Sequence, residues 1–267
     1  MKTLEESVRS RRSVRTYDPR PLTVQDREAL CAYMENIDNP YGLSVTFRLL
    51  EGMGSPVVVG TDLFVAGKME KSAHMNEAFG YSFEKLVLYA ESMGIGTVWI
   101  GGTMDRGAFE KAMEITDNEV MPCVSPLGYP AKKMSLRETM MRKTVKANER
   151  LPFEQIAFCG SFEKPMTESE AGALRLPLEM VRLAPSAINK QPWRMVVSDD
   201  MIHFYIKRSK GFGSGKIDMQ KIDMGIALCH FEMMAEELGL NPEFVIAEPE
   251  MTGKGDMEYI ASYRFKK

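Results

Sequence analysis

Cysteine is scarce and scattered in this chain. The four thiols, Cys31, Cys123, Cys159 and Cys229, include no C-x-x-C pair and no metal-ligand spacing. A disulfide framework and a zinc site are therefore not expected; reduced thiols of a cytoplasmic protein are. Histidine is scarcer still. His74, His203 and His230 show no paired spacing and read as solvated or core residues. No run of about 18 apolar residues occurs, so no transmembrane helix and no membrane partner are expected. The start, Met-Lys-Thr-Leu-Glu-Glu, has acids where a secretory leader carries its apolar run. Neither sign of charge dominates: 34 Lys and Arg face 37 Asp and Glu, a formal net charge of −3. Without a basic surplus to neutralise phosphates, nucleic acid is not an expected partner. A Walker loop, a G-x-G-x-x-G segment and a Ser-His-Asp pattern are all missing. Gly211-Phe212-Gly213-Ser214-Gly215-Lys216 is glycine-rich but lacks P-loop spacing, and reads as a mobile loop.

What is present is a chain of 267 residues, 44% hydrophobic, enough for one large or two small globular domains. Internal repetition favours two. Pro21-Leu22-Thr23 lies 144 residues before Pro165-Met166-Thr167, and each Thr is followed three residues on by an acid, Asp26 or Glu170. That spacing predicts a capped helix start in both places. Phe47-Arg48-Leu49-Leu50 matches Trp193-Arg194-Met195-Val196 at nearly the same offset, and both read as strand starts. Met93-Gly94-Ile95 matches Leu238-Gly239-Leu240, each closing an apolar helix at a glycine. Strands are predicted at 45–51, 57–65, 97–100 and 123–124, then at 194–197, 202–206, 243–247 and 258–265. Helix-strand-strand-helix-strand-strand, twice, is an α+β layered pattern. The joint lies between 130 and 160. We place the copies at 1–160 and 161–267.

Two segments carry chemistry. Arg11-Arg12-Ser13-Val14-Arg15 follows a short helix capped by Thr3 and Glu6, and concentrates three guanidiniums and a hydroxyl. Guanidinium forks suit phosphate oxygens, although such a cluster also serves as a plain solvated turn. Ala184-Pro185-Ser186-Ala187-Ile188-Asn189-Lys190-Gln191-Pro192-Trp193 puts short polar side chains on a turn between a helix at 174–183 and a strand. Two weaker segments accompany them. Ser125-Pro126-Leu127-Gly128-Tyr129-Pro130 is a turn with a glycine, and Asp223-Met224-Gly225 reads as a helix cap.

Together these motifs resemble the nitroreductase family of FMN enzymes. The resemblance implies an α+β, layered α/β/α fold in two tandem half-size copies forming a pseudo-dimer. It implies that Arg11, Arg12, Ser13 and Arg15 hold the FMN phosphate and part of the flavin polar edge, with Tyr17 as the aromatic that follows. Arg150 falls at a second phosphate-binding arginine. Backbone at Pro126, Leu127 and Gly128 is implied near flavin N5. Pro185, Ser186, Ala187, Asn189 and Gln191 are implied as the cover of the ring. Residues 151–156 resemble the arm that wraps a partner chain. A second site would need a cationic segment near 156–160 and a Pro-Ser-x-x-Asn cover near 40. Ile156-Ala157-Phe158-Cys159-Gly160 has no cation, and Asp38-Asn39-Pro40-Tyr41-Gly42 departs from the pattern. One complete site, one FMN per chain and a decayed mate are expected. The implied activity is hydride transfer from NADH or NADPH through flavin N5 to a nitroaromatic, quinone or similar small acceptor, by a monomer with no metal and no catalytic side chain. A non-catalytic FMN-binding protein, or another flavin reaction such as dehalogenation or ene reduction, is compatible with the same residues.

Overall fold

The computed structural model describes residues 1–210 and 217–266. The glycine-rich segment 211–216 lies outside the described residues. The chain forms two compact units, Met1–Ala147 and Asn148–Lys267.

The first unit opens with α1 (Leu4–Ser10). Thr3 Oγ1 accepts from Glu6 N–H and the Glu6 carboxylate accepts from Thr3 N–H, the reciprocal capping box that the sequence predicts. α2 (Val24–Met34) starts behind Thr23, whose hydroxyl accepts from Asp26 N–H at 3.1 Å. Then come β1 (Thr46–Leu50), β2 (Phe64–Glu70), α3 (Met75–Ser92), α4 (Arg106–Ala112), β3 (Glu119–Val120), β4 (Val124–Pro126) and α5 (Leu136–Thr144). β2 is central and antiparallel to β1 on one edge and to β3 and β4 on the other. Successive β2 residues point to opposite faces. Val65 and Met69 join Leu30, Phe79, Phe83 and Leu86 in one core. Phe64 and Ala66 join Ile100, Phe109, Met113 and Val124 in another. Helices thus cover both faces of the sheet.

Two strand positions differ from the sequence pattern. The run 57–65 is not a strand; the ladder is at Phe64–Glu70. Val59 instead exchanges backbone hydrogen bonds with Arg15 and Tyr17, and Gly60 turns left-handed at φ 94° before the ladder begins. The run 97–100 makes isolated bridges, with Thr97 on Ser13 and Ile100 on Val124, and Gly96 just before it bridges Gly128.

The second unit contains β5 (Ala157–Cys159), α6 (Arg175–Leu183), β6 (Trp193–Ser198), β7 (Met201–Ile206), α7 (Met219–Glu237), β8 (Glu243–Val245) and β9 (Glu258–Arg264). The sheet order is β5-β6-β7-β9-β8, with β5 parallel to β6 and the other pairs antiparallel. Residues 151–156 belong to this unit. Phe153 is buried there, and Ile156 O accepts from Met195 N–H at 2.7 Å. The repeat is visible in topology. β1-β2-β4 and the bridged 96–100 segment follow one another in the first unit as β6-β7-β9-β8 do in the second. Gly94 (φ 78°) and Gly239 (φ 72°) end the long helices in left-handed backbone.

The helix start at Thr167 is corrected. Glu170 accepts from Thr167 N–H at 2.8 Å, but the segment is a turn and α6 begins only at Arg175. Gly172, left-handed at φ 52°, interrupts the helical path between them.

Candidate functional site

In the first unit the arginine segment is extended rather than a turn. α1 ends at Ser10 with Arg11 as its C-cap, and Val14 N–H donates to Thr97 O at 2.9 Å. Val59 N–H donates to Arg15 O at 2.9 Å, and Tyr17 N–H to Val59 O at 2.8 Å. Two glycines let neighbouring backbone come this close. A Cβ on Gly60 would stand 2.2 Å from Tyr17 O, and one on Gly96 would stand 2.9 Å from Val14 Cβ. Tyr17 is buried, and its hydroxyl donates to Val14 O at 2.7 Å.

α5 supplies the counter-charge. Glu138 is 1% exposed, and it accepts from Arg12 Nη1 at 2.7 Å and from Arg15 N–H at 3.2 Å. Ser135 Oγ caps α5 by accepting from Glu138 N–H, but the Glu138 carboxylate does not reach back to the cap. Ser135 N–H donates to Thr16 Oγ1 instead, so the helix start is stapled to the arginine segment. Glu84 of α3 is also buried; it accepts from Trp99 Nε1 at 2.9 Å and lies 4.0 Å from Arg11 Nε. Arg142 stands one helical turn beyond Glu138 on the same face of α5. Burial holds the Arg142 guanidinium below its usual range, as does the positive charge of Arg12 and then Arg11, against the pull of Glu138. Burial lowers Arg15 as well, Glu138 opposes this, and Arg142 adds to it. Arg15 Nε is buried with no hydrogen-bond partner.

The 126–128 segment runs beside the same backbone and is buried throughout. Leu127 N–H donates to Leu63 O at 2.9 Å, and Leu127 O accepts from Thr61 Oγ1. Gly128 O accepts from Gly96 N–H, and a Cβ on Gly128 would stand 2.9 Å from the Tyr17 ring. Pro126 is the last residue of β4. The Leu127 amide is thus already engaged within the unit.

In the second unit the segment after α6 is a tight loop with three left-handed residues, Ile188 (φ 44°), Asn189 (φ 58°) and Gln191 (φ 49°). Side chains hold this backbone on every side. Ser186 Oγ accepts from Gln191 N–H at 2.9 Å. Asp223 Oδ1 accepts from Ala187 N–H at 2.9 Å. Gln191 Oε1 accepts from Leu151 N–H at 2.9 Å, and Asn189 Nδ2 donates to Glu149 O at 3.0 Å. Arg150 donates to Leu183 O at 3.2 Å and to Asn189 Oδ1 at 3.4 Å. Pro185 lies between the end of α6 and this loop.

Asp223 is not the cap that its sequence suggests. Asp218 caps α7, accepting from Gln220 and Lys221 N–H at 3.1 Å each. Asp223 sits inside the helix, buried, with Oδ2 unpartnered. Burial drives its carboxyl well above the usual range; the Ala187 N–H bond opposes that, and the Asp218 charge adds to it. Arg194 braces the other end of the loop, donating through Nη1 to Gln191 O at 3.0 Å and Trp193 O at 2.6 Å. Burial lowers Arg194 to about 10.

Among the described residues no group of three or more His, Cys, Asp or Glu is placed to hold a metal, and no helix is long and apolar enough to cross a membrane. The model of one protein family, described as "Putative TM nitroreductase", matches residues 3–235. The chain belongs to this family. Among solved structures, this nitroreductase-family chain is similar to a putative nitroreductase from Thermotoga maritima at 18% identity and TM-score 0.66, over 99% of this chain and 94% of that one. That likeness shows a nitroreductase fold along the whole chain. It is also similar to a half-length nitroreductase with bound FMN from Bacteroides fragilis at 18% identity and TM-score 0.43, over 51% of this chain and 92% of that one. No curated protein matches the chain.

Within the family framework, the residues singled out by sequence fall in two groups. Arg11, Arg12, Ser13, Arg15 and 126–128 are side by side in the first unit. Arg150, Pro185, Ser186, Ala187, Asn189 and Gln191 form one network in the second. Sequence reasoning missed Glu138, Arg142 and Arg194. Ser135-Leu136-Arg137-Glu138 has capping-box spacing, and nothing in that spacing signals the diversion of Glu138. Arg142 sat in a charged stretch with no distinguishing pattern, and Arg194 looked like an ordinary strand residue.

Proposed function

We propose that this chain is an FMN-dependent oxidoreductase, taking hydride from NADH or NADPH and reducing a small acceptor such as a nitroaromatic or quinone. One observation carries the reading. Arg11, Arg12, Arg15 and Arg142 gather around two buried carboxylates, Glu84 and Glu138. A phosphate monoester carries about −1.5 to −2 at neutral pH, and guanidinium forks suit such a dianion. The buried, unpartnered Arg15 Nε adds an unused donor beside it. A cluster of guanidiniums with a buried unused donor, on the motif of an FMN-enzyme family, argues for the FMN phosphate over a solvated turn.

FMN, when bound, supplies the reversible two-electron chemistry, and the protein supplies binding, orientation and electrostatics. Arg11, Arg15 and Arg142 bind the phosphate. Arg12 is largely engaged by Glu138, and that pair orients the Arg15 backbone. Ser13 contributes a hydroxyl. The resemblance assigns Pro185, Ser186, Ala187, Asn189 and Gln191 to the same coenzyme. The Asn189 and Gln191 side chains already bind the 149–151 backbone, so their part is to shape the loop. Arg150 shares that part.

The experiment is the visible absorption spectrum of the purified protein, followed by anaerobic reduction with NADH or NADPH and reoxidation by menadione. Arg11→Ala with Arg15→Ala is expected to weaken FMN binding by a few kcal/mol, at ~1.5–3 for each charge-assisted hydrogen bond. A double variant as yellow as wild type would overturn the phosphate assignment. Reduced protein that no acceptor reoxidises would leave FMN binding without turnover.

A further inference from the structure

α5 is built inside out. A surface helix ordinarily turns its apolar residues to the core and its charges to water. Here Glu138 and Arg142, one turn apart, face the arginine segment, and Glu138 is 1% exposed. Leu136 and Met140, also one turn apart, fall on the opposite side of the helix and are 85% and 68% exposed. Met141 supplies the contact with the core. A groove of about 500 Å³, lined by Arg137, Met140, Met141, Thr144 and Val145, runs beside the exposed tips.

Cations surround these side chains. Arg137 and Lys143 flank Leu136 and Met140 on the helix surface, and Lys132, Lys133 and Met134 lead into the helix; all five are exposed. Residues 131–147 hold six of the chain's 34 Lys and Arg but one of its 37 Asp and Glu, so positive charge is concentrated here in a chain of net charge −3. That one acid, Glu138, is turned inward and engaged. Asp18, which feels the charge of Lys132, is already bridged to Arg20 at 3.3 Å.

The combination selects the occupant. Singly exposed apolar residues need no explanation, whereas projecting tips ringed by one sign of charge mark an interaction face. The ring calls for negative charge opposite it. The tips call for a surface that takes projecting side chains without a shaped pocket for each. A folded acidic protein would need such pockets, and the headgroup layer of a bilayer does not. Amphipathic helices with Lys and Arg around large apolar side chains lie in that layer, drawn to anionic lipids. Contact of this kind rests on the bilayer, and no described helix is long and apolar enough to cross one.

We propose that the outward face of α5, with Leu136 and Met140 among Lys132, Lys133, Arg137 and Lys143, docks the protein reversibly on an anionic lipid surface. The proposal does not depend on the FMN reading, because Glu138 and Arg142 occupy the other side of the helix.

The test is cosedimentation of the full-length protein with vesicles of phosphatidylglycerol and phosphatidylcholine in equal parts, against vesicles of phosphatidylcholine alone. The wild-type protein is expected to partition at least fivefold more strongly onto the anionic vesicles, and high salt is expected to weaken the binding. Leu136→Gln with Met140→Gln, and separately Lys132→Glu with Lys133→Glu and Lys143→Glu, are each expected to lower that partition at least fivefold, with melting temperatures near wild type because these side chains are exposed. Leu136→Trp provides a reading that needs no loss of function. Its additional fluorescence is expected to shift to the blue with anionic vesicles and to stay unchanged with phosphatidylcholine. Equal partition onto the two vesicle types, or none onto either, would overturn the proposal. So would a glutamine pair that binds anionic vesicles as wild type does, which would reduce the face to plain charge attraction. A Leu136→Trp emission unmoved by anionic vesicles, or retention on immobilised polyglutamate with no vesicle binding, would overturn it as well, the latter in favour of an acidic protein partner.

Discussion

Asp223 illustrates how little a residue's type fixes its role. An aspartate near the start of an apolar helix is most often a cap, yet here Asp218 caps α7 and Asp223 is buried inside it. Its carboxyl is pushed upward, chiefly by burial. The unfolded chain binds that proton only below about pH 4. Between that pH and the raised folded value, only the folded state stays protonated, so stability falls as pH rises through this window. Asp223→Asn keeps an acceptor for Ala187 N–H and removes the titration. Its melting temperature is expected to exceed wild type by a few degrees at neutral pH and to match it near pH 4. Equal melting curves at both pH values would show that Asp223 is comfortably ionised.

Among the elements, α5 combines one apolar contact, Met141 against the core, with a polar attachment to the arginine segment. Its Leu136 and Met140 are exposed, and the polar staple to the arginine segment adds to what Met141 supplies. Breaking it at Glu138 removes an acceptor from both Arg12 and the Arg15 amide. Glu138→Ala is expected to destabilise the protein by about 1.5–3 kcal/mol, read as a lower urea midpoint at unchanged slope. FMN affinity should fall with it, because Arg15 loses its backbone anchor. Undiminished stability and undiminished FMN binding would show that α5 is held by something else. The glycines on the other side of the segment act in the same sense. Gly60→Ala would place a methyl against Tyr17 O in left-handed backbone, so that variant is expected to lose both stability and FMN.

For the whole molecule, the two copies share a topology and not a chemistry. The counterpart of the arginine segment in the second copy, Ile156-Ala157-Phe158-Cys159-Gly160, carries no cation and overlaps β5 of a sheet. The counterpart of the Pro-Ser-x-x-Asn loop, around Asn39, is shaped differently. Asn39 Oδ1 accepts from Tyr41 N–H, and Asn39 Nδ2 donates to Ser82 Oγ on α3. Only one cationic segment of this kind exists per chain, so one FMN per chain is expected from released-flavin absorbance against protein mass. A ratio near two would mean that the second copy binds FMN by other residues.

The sequence by itself determined the repeat, because apolar periodicity and glycine helix stops are local and survive divergence. It determined the Thr3 and Thr23 caps for the same reason, and it marked Arg11–Arg15 and 184–193 as the segments with chemistry. It did not determine where β2 begins, since 57–65 is as apolar as a strand and only its pairing with Arg15 and Tyr17 diverts it. Nor did it show that Glu138 abandons its cap for Arg12, that Arg142 joins the arginines, or that Asp223 and Arg194 grip the loop carrying Ile188. Those choices were made by tertiary structure, because the partner of a buried charge is selected by what lies across space once water is excluded, and sequence spacing does not record that neighbour.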